Sequence, residues 1–465
     1  MRQLVIVLIL FLALMMGGCG SGSGSSNADN SSSAKAKFQH IVLVIQENRT
    51  PDNIFGSDPN FEPGVDIATS GVNSTGATVP LTPVALADCY DLGHGHSSFE
   101  AGYNGGAMNG FDKIGTDSAS GCVPGPNPEF RYVNNSTGTV QPYFDLAAQY
   151  GFANRMFQTN QGPSFPAHQF LLSGTSAPTT DSDLFAAENP EGDTAGCISA
   201  SNAYVYFIDP AGVESSTGFP CFDHPTLVDL LEPAGLTWRY YAVPAYSYAW
   251  NAPLAISALC NAQVSTAGVP ACAGSEWANV TMNPATVLTD IKNCNLANVA
   301  WVTPTGQNSD HARSNTGGGP SWVASIVNAI GTSSCGYWQD TAILITWDDW
   351  GGWYDHVPPP RIGQSNGWGV SYVYGFRVPL LVVSAYTPAG YVSNTNHDFG
   401  SMLRFVETNF GLSLIGPGIW ADSYADDLME FFPLGLPNPF HAISSQLDAD
   451  HFINDKEPPT DPDDD

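Results

Sequence analysis

The sequence predicts an α/β domain with a mostly parallel central sheet and helices on both faces, and two observations carry that expectation. Several apolar runs lack the alternation of a half-exposed strand, as strands buried on both faces require. Stretches of helical periodicity lie between them, the order that βα units produce. The strand-like runs are 40–45, 203–208, 237–243, 298–302, 342–347 and 378–384. The helical stretches are 225–233, 321–330 and 397–409, closed by Gly235, Gly331 and Gly411. No repeat, charge run or proline linker divides residues 38–447, so one large domain is expected there.

The ends read differently. Residues 1–19 have the layout of an export signal: Arg2, an apolar stretch, then Gly17-Gly18 before Cys19, too short for a membrane span. The MGGC segment resembles a lipoprotein cleavage box, which would anchor the protein to the outer leaflet through Cys19. Plain cleavage within the Gly/Ser region is the alternative, so periplasmic, cell-surface and secreted locations stay open. Residues 20–37 read as a flexible tether, and 448–465, ending in DKEPPTDPDDD, as an acidic disordered tail.

Nine cysteines fit an oxidising compartment. Without Cys19 eight remain, with no CxxC spacing, and sequence proximity suggests Cys89–Cys122, Cys197–Cys221, Cys260–Cys272 and Cys294–Cys335. The net charge of −30, from 44 acidic and 14 basic residues, excludes nucleic acid as a partner, because no basic surface replaces its counterions. An anionic substrate would need a cation or local donors to overcome that field.

Parallel sheets place ligands at the carboxyl ends of their strands. Glu47 and Asn48 follow the run 40–45, and Asp348 and Asp349 follow 342–347. Three carboxylates and an amide oxygen at one sheet edge suit a divalent cation, with Ca, Mg, Mn and Zn all open. In GPSFPAHQFLLSGTS, Ser164 stands in a Gly-Pro turn before a helical run, where its hydroxyl is exposed and backbone N–H groups face an anion. The segment WDDWGGWYDHVPPP adds Asp355 and His356.

Taken together, these segments resemble the bacterial phosphoesterase family of acid phosphatases and phosphocholine-type phospholipases C, within the alkaline-phosphatase-like superfamily. The resemblance runs from His40 to about Leu412. It implies Glu47, Asn48, Ser164, Asp348 and Asp349 as metal ligands, and Ser164 as a nucleophile that forms a phosphoseryl intermediate. DLGHGHSSFEAGYNGGAMNGF places His94 near the phosphoryl group, SDHA offers His311, and NHDFGSMLRFVE offers His397. With His356, these histidines would hold phosphoryl oxygens or protonate the leaving oxygen.

The segment departs from the family pattern at Ala107, where lysine is usual, with Lys113 nearby, at Asp349 in place of Glu, and at Thr50-Pro51 in place of Ser-Phe. Arg49 reads as a clamp for Asp52, His96 as a surface bystander, and His40, His168 and His224 as packing or surface residues. Trp347, Trp350, Trp353 and Tyr354 read as core and rim, with a cage for a choline ammonium as the sharper alternative. The expected function is an exported metal-dependent phosphoester hydrolase, a phospholipase C or an acid phosphatase, with a phosphoester and in the first case a phospholipid as its partner. The alternative is a non-catalytic, disulfide-stapled, cation-binding surface protein.

Overall fold

The computed structural model describes residues 37–192, 196–243, 248–264, 268–362 and 372–458. The export signal, Cys19 and the tether up to residue 36 lie outside them. Eight strands form the central sheet: β1 His40–Gln46, β2 Gly151–Ala153, β3 Trp238–Tyr241, β4 Val280–Thr281, β5 Val299–Val302, β6 Thr341–Trp347, β7 Leu380–Ser384 and β8 Tyr391–Ser393. Their order is β4-β3-β5-β1-β6-β7-β2-β8. β1 lies parallel to both β5 and β6, in register with Val44 beside Val302 and Ile345. β7 alone runs against its neighbours β6 and β2. The expected mostly parallel α/β sheet is therefore present, with one reversed strand.

β5 and β6 are buried along their whole length, and β1 from its second residue onward, which demands cover on both faces. Helices Gln141–Gln149 and Gly319–Gly331 pack on each other, as do Ser164–Ser173 and Phe399–Phe410. The second pair faces Trp301, whose indole Nε1–H donates to Leu171 O at 3.0 Å. Phe399–Phe410 starts on a capping box between Asp398 and Ser401 and stops at Gly411, whose φ of 68° is left-handed.

Three expectations are corrected. Residues 203–208 do not join the central sheet: Val205–Ile208 pairs antiparallel with Glu214–Gly218 and with Phe185–Ala186. The turn at Asp209–Gly212 sends the chain straight back, and Tyr206 is half exposed between buried Val205 and Phe207. The helix expected over 225–233 shrinks to Val228–Leu231. The tail expected to be disordered from 448 begins as helix Ala449–Asn454, capped by Asp448, with Phe452 buried against Trp322.

All four disulfides form in the expected nearest-neighbour pairing. They close loops of 12 to 41 residues. Among the described residues no helix is long and apolar enough to cross a membrane.

Candidate active site

The carboxyl ends of β1 and β6 lie side by side, and the chain turns sharply at both. Gln46 pairs with Trp347, so Glu47 and Asp348 leave the sheet at the same level. Asn48 then adopts φ 63°, a left-handed conformation that asparagine tolerates better than most residues. Its backbone N–H donates to Asp348 Oδ1 at 3.1 Å, and the Asp349 N–H donates to the same oxygen at 2.7 Å. Gly351 is required where the second turn crosses the first: a Cβ there would stand 2.2 Å from Asn48 O. The two strand ends are thus locked to each other by backbone.

Ser164 is the first residue of helix Ser164–Ser173 and is fully buried. Its hydroxyl donates to Asp349 Oδ2 at 3.3 Å. The turn before it is held from the far side, because a Cβ on Gly162 would lie 1.7 Å from Ala187 O. The helix start offers an anion fewer donors than expected. Phe165 N–H is taken by Asn189 Oδ1 at 2.9 Å, and Pro166 has none.

His168, read as packing or surface, is in the cluster. It is fully buried, with Nε2 at 3.3 Å from Glu47 Oε1 and 3.7 Å from Asp348 Oδ2. Its spacing from Ser164 held the signal, since residues four apart share one helix face. Glu47, His168 and Asp348 each offer a ligand atom within 4.8 Å of the others. Two fully buried carboxylates converging on one ring are costly unless a positive charge lies between them. Asn48 Oδ1 and Asp348 Oδ2 are buried and accept no hydrogen bond among the described residues. The donor set therefore fits a divalent cation.

His94 and His311 join this edge. His94 Nδ1 lies 2.7 Å from Leu92 O, which can only accept, so Nδ1 carries a proton and neutral Nε2 accepts from the Asn48 amide at 3.2 Å. That contact turns Asn48 Oδ1 away from the ring. The His311 ring centroid is 5.9 Å from that of His94 and 6.0 Å from that of Trp250, and its Nδ1 is 3.6 Å from Asp91 Oδ2. His96 is not a surface bystander: it is buried, with Nε2 3.1 Å from Gln161 Oε1 and its N–H on Glu188 Oε1 at 2.8 Å. Burial and the neighbouring Glu214 push the Glu188 carboxyl up to about 8. Nothing in the local sequence pointed to Glu188.

The structure places the other two expected histidines elsewhere. His356 bridges Asp52 and Asp66, with Nδ1 2.7 Å from Asp52 Oδ2 and Nε2 3.0 Å from Asp66 Oδ1. Beside it, buried Arg377 holds Asp355 through Nε and Nη2 at 2.9 Å and reaches Asp52 Oδ1 at 3.2 Å. Asp52 is thus clamped by Arg377 and not by Arg49. Arg49 instead donates to Asp310 O, Asn53 Oδ1 and Leu86 O, with its guanidinium 4.8 Å from the Trp353 ring centre. His397 lies between Asp426 at 3.3 Å and Glu430 at 3.2 Å.

Burial opposes a charge on His397, but hydrogen bonds to the two carboxylates outweigh it and raise its pKa above the ordinary 6.5. Its hydrogen bond in turn holds Glu430 down at about 2. A raised folded-state value stabilises fully below 6.5, and that contribution is lost as pH rises through it. The Glu430 contribution is complete above the ordinary 4.5 and is lost as pH falls toward 2. Melting temperature should therefore fall between pH 6 and 9 in the parent and change less over that range in His397→Gln. Equal slopes in the two proteins would contradict this assignment.

Of the departures, Ala107 and Lys113 are both exposed, while Thr50 caps helix Pro51–Phe55 by accepting from Asn53 N–H at 3.1 Å. Trp347, Trp350 and Trp353 are fully buried and Tyr354 nearly so, so they form core and no open cage. Trp347 and Tyr143 instead donate to Asp310 Oδ2, at 3.0 and 2.7 Å, bracing the end of β6.

Known proteins are similar to this chain over most of its length. Phospholipase C B of Mycobacterium tuberculosis is 25% identical over 452 residues, covering 86% of this chain and 79% of that protein. Hemolytic phospholipase C of Pseudomonas aeruginosa is 23% identical, covering 85% of this chain and 56% of that one. A solved protein of the alkaline phosphatase superfamily from Vibrio parahaemolyticus aligns over 85% of this chain and 70% of its own, with 12% identity and a TM-score of 0.37. The family model described as the phosphoesterase family matches residues 38–413, and the chain belongs to that family.

Proposed function

We propose that this protein is an exported, cation-dependent phospholipase C that uses Ser164 as its nucleophile. Family membership and the phospholipase C relatives make it a hydrolase of phosphoester bonds. The finer reading is supported by one observation: Ser164 Oγ meets Asp349 Oδ2, and Asp349 adjoins the buried group of Glu47, Asn48 and Asp348 whose oxygens could hold a cation. A non-catalytic cation site has no use for a hydroxyl at this place. Export is supported by the four disulfides and by the sequence of residues 1–19.

Glu47, Asn48, Asp348 and Asp349 would hold the cation, which when bound offsets phosphoryl charge and lowers the pKa of a nearby hydroxyl. The remaining steps belong to the chain. Ser164 Oγ attacks phosphorus in line, and its proton passes to Asp349 Oδ2, already its hydrogen-bond acceptor. As the Oγ–P bond forms, the bond from phosphorus to the diacylglycerol oxygen breaks, and that oxygen takes a proton from His311, whose ring is held by Nδ1 against Ala312 O at 2.8 Å. Water then hydrolyses the phosphocholine ester of Ser164, releasing phosphocholine and restoring the hydroxyl. His94 positions Asn48.

Phosphatidylcholine and p-nitrophenyl phosphate assayed in parallel, before and after chelation, test the reading. Release of diacylglycerol that stops on chelation and returns with a divalent cation is the expected result. Turnover of the monoester alone would make the protein an acid phosphatase, and turnover untouched by complete metal removal would refute the cation.

A further inference from the structure

We propose that His168 is a nitrogen ligand, through Nε2, to the cation held by Glu47 and Asp348, and that this mixed donor set selects a first-row transition ion over Ca2+ or Mg2+. The inference rests on reading this cluster as a cation site.

Helix geometry comes first. Ser164 and His168 are four residues apart on one continuous helix, so hydroxyl and ring are presented on the same face. Ligand atoms about 2.1 Å from a shared ion stand roughly 3 to 3.5 Å from one another. His168 Nε2 is 3.3 Å from Glu47 Oε1 and 3.7 Å from Asp348 Oδ2, close to that spacing.

The far side of the ring fixes its tautomer. Tyr240 OH lies 3.4 Å from His168 Nδ1 and donates to Trp250 O at 3.2 Å. A tyrosine hydroxyl has one proton, so with that proton on Trp250 its oxygen faces Nδ1 as an acceptor. Nδ1 then carries the ring hydrogen, and the lone pair of Nε2 points at two carboxylates. A lone pair aimed at two anions is repulsive unless a cation lies between them. An outer partner on the other nitrogen is also what orients a metal-binding histidine.

The donor chemistry then limits the ion. Ca2+ and Mg2+ take oxygen ligands, whereas imidazole suits Zn2+, Fe2+, Ni2+ and Cu2+ better. A rival arrangement has the same atoms in place: a protonated His168 paired with Glu47, with no bond to the cation.

Calorimetric titration of Mn2+, Zn2+, Ca2+ and Mg2+ into the full-length parent, His168→Gln and His168→Asn separates the two. The parent should bind Zn2+ at least about 100-fold more tightly than Ca2+. The variants should lose at least about tenfold in transition-ion affinity and alter the visible spectrum of the Co2+-loaded protein. Variants that bind as tightly as the parent with an unchanged Co2+ spectrum would overturn the proposal and leave the cation site standing. A parent that binds no divalent cation would overturn the site itself. Should neither variant fold, pulsed EPR of the Mn2+-loaded parent decides: nitrogen coupling supports the ligand, and its absence overturns it.

Discussion

A Ser164→Ala protein should fold like the parent and lose phosphoester turnover by roughly 10^4-fold or more. The substitution removes one oxygen from the first turn of a helix whose other anchors are untouched. Phe165 N–H keeps Asn189, and the Gly162 turn keeps its contact with Ala187. The hydroxyl's hydrogen-bond acceptor is Asp349 Oδ2, itself still held through Oδ1 by Gly351 N–H at 2.7 Å. The melting temperature should therefore move by only a few degrees while kcat collapses. Rapid-quench trapping of phosphoserine in the parent and its absence in the variant would complete the test. A variant that retains even a tenth of the parent's rate would remove Ser164 from the chemistry.

The second large effect is on stability. Arg377→Met should lower the unfolding free energy by about 3–5 kcal/mol, because it strands two buried carboxylates. Arg377, Asp52 and Asp355 are all fully buried. Burial would raise the Asp52 pKa, but the His356 hydrogen bond and the Arg377 charge more than offset it and hold it below its ordinary value, while burial leaves Asp355 raised. Arg377 Nη1 also donates to Asp66 O and Asn154 O, both at 3.0 Å, so one guanidinium ties together five separate segments. Urea denaturation at pH 7 and pH 5 would measure the loss. It should be smaller at pH 5, where protonation relieves part of the stranded charge, and a loss below about 1 kcal/mol at pH 7 would show that the cluster is not a stabilising clamp.

Several features of this molecule were legible in its sequence for simple reasons. β1, β5 and β6 are long apolar runs that end in polar clusters, and such runs have few other uses. Glu47, Asn48, Asp348 and Asp349 follow two of them directly, so sheet geometry alone brings them together. β2, β4 and β8 are two or three residues long and leave no periodic signal. An apolar run also carries no direction, which is why the reversal of β7 was invisible. The histidines divide along the same line. His94 meets a partner set by the strand ends, and His168, misread as packing or surface, is carried to the cluster by helix spacing, whereas His356 and His397 are held by Asp66, Asp426 and Glu430, acids that no local pattern marks. In a chain so rich in acids, a histidine finds a carboxylate almost anywhere.

The disulfides have a consequence for how this chain matures. The eight cysteines after Cys19 are joined in consecutive pairs along the sequence, from Cys89–Cys122 through Cys294–Cys335, and no bridge interleaves with another. A chain oxidised while it emerges N-terminus first presents its thiols in just that order. Among these eight, every bridge can close as its second thiol arrives, so their pairing needs an oxidant but no isomerase to undo mistaken ones.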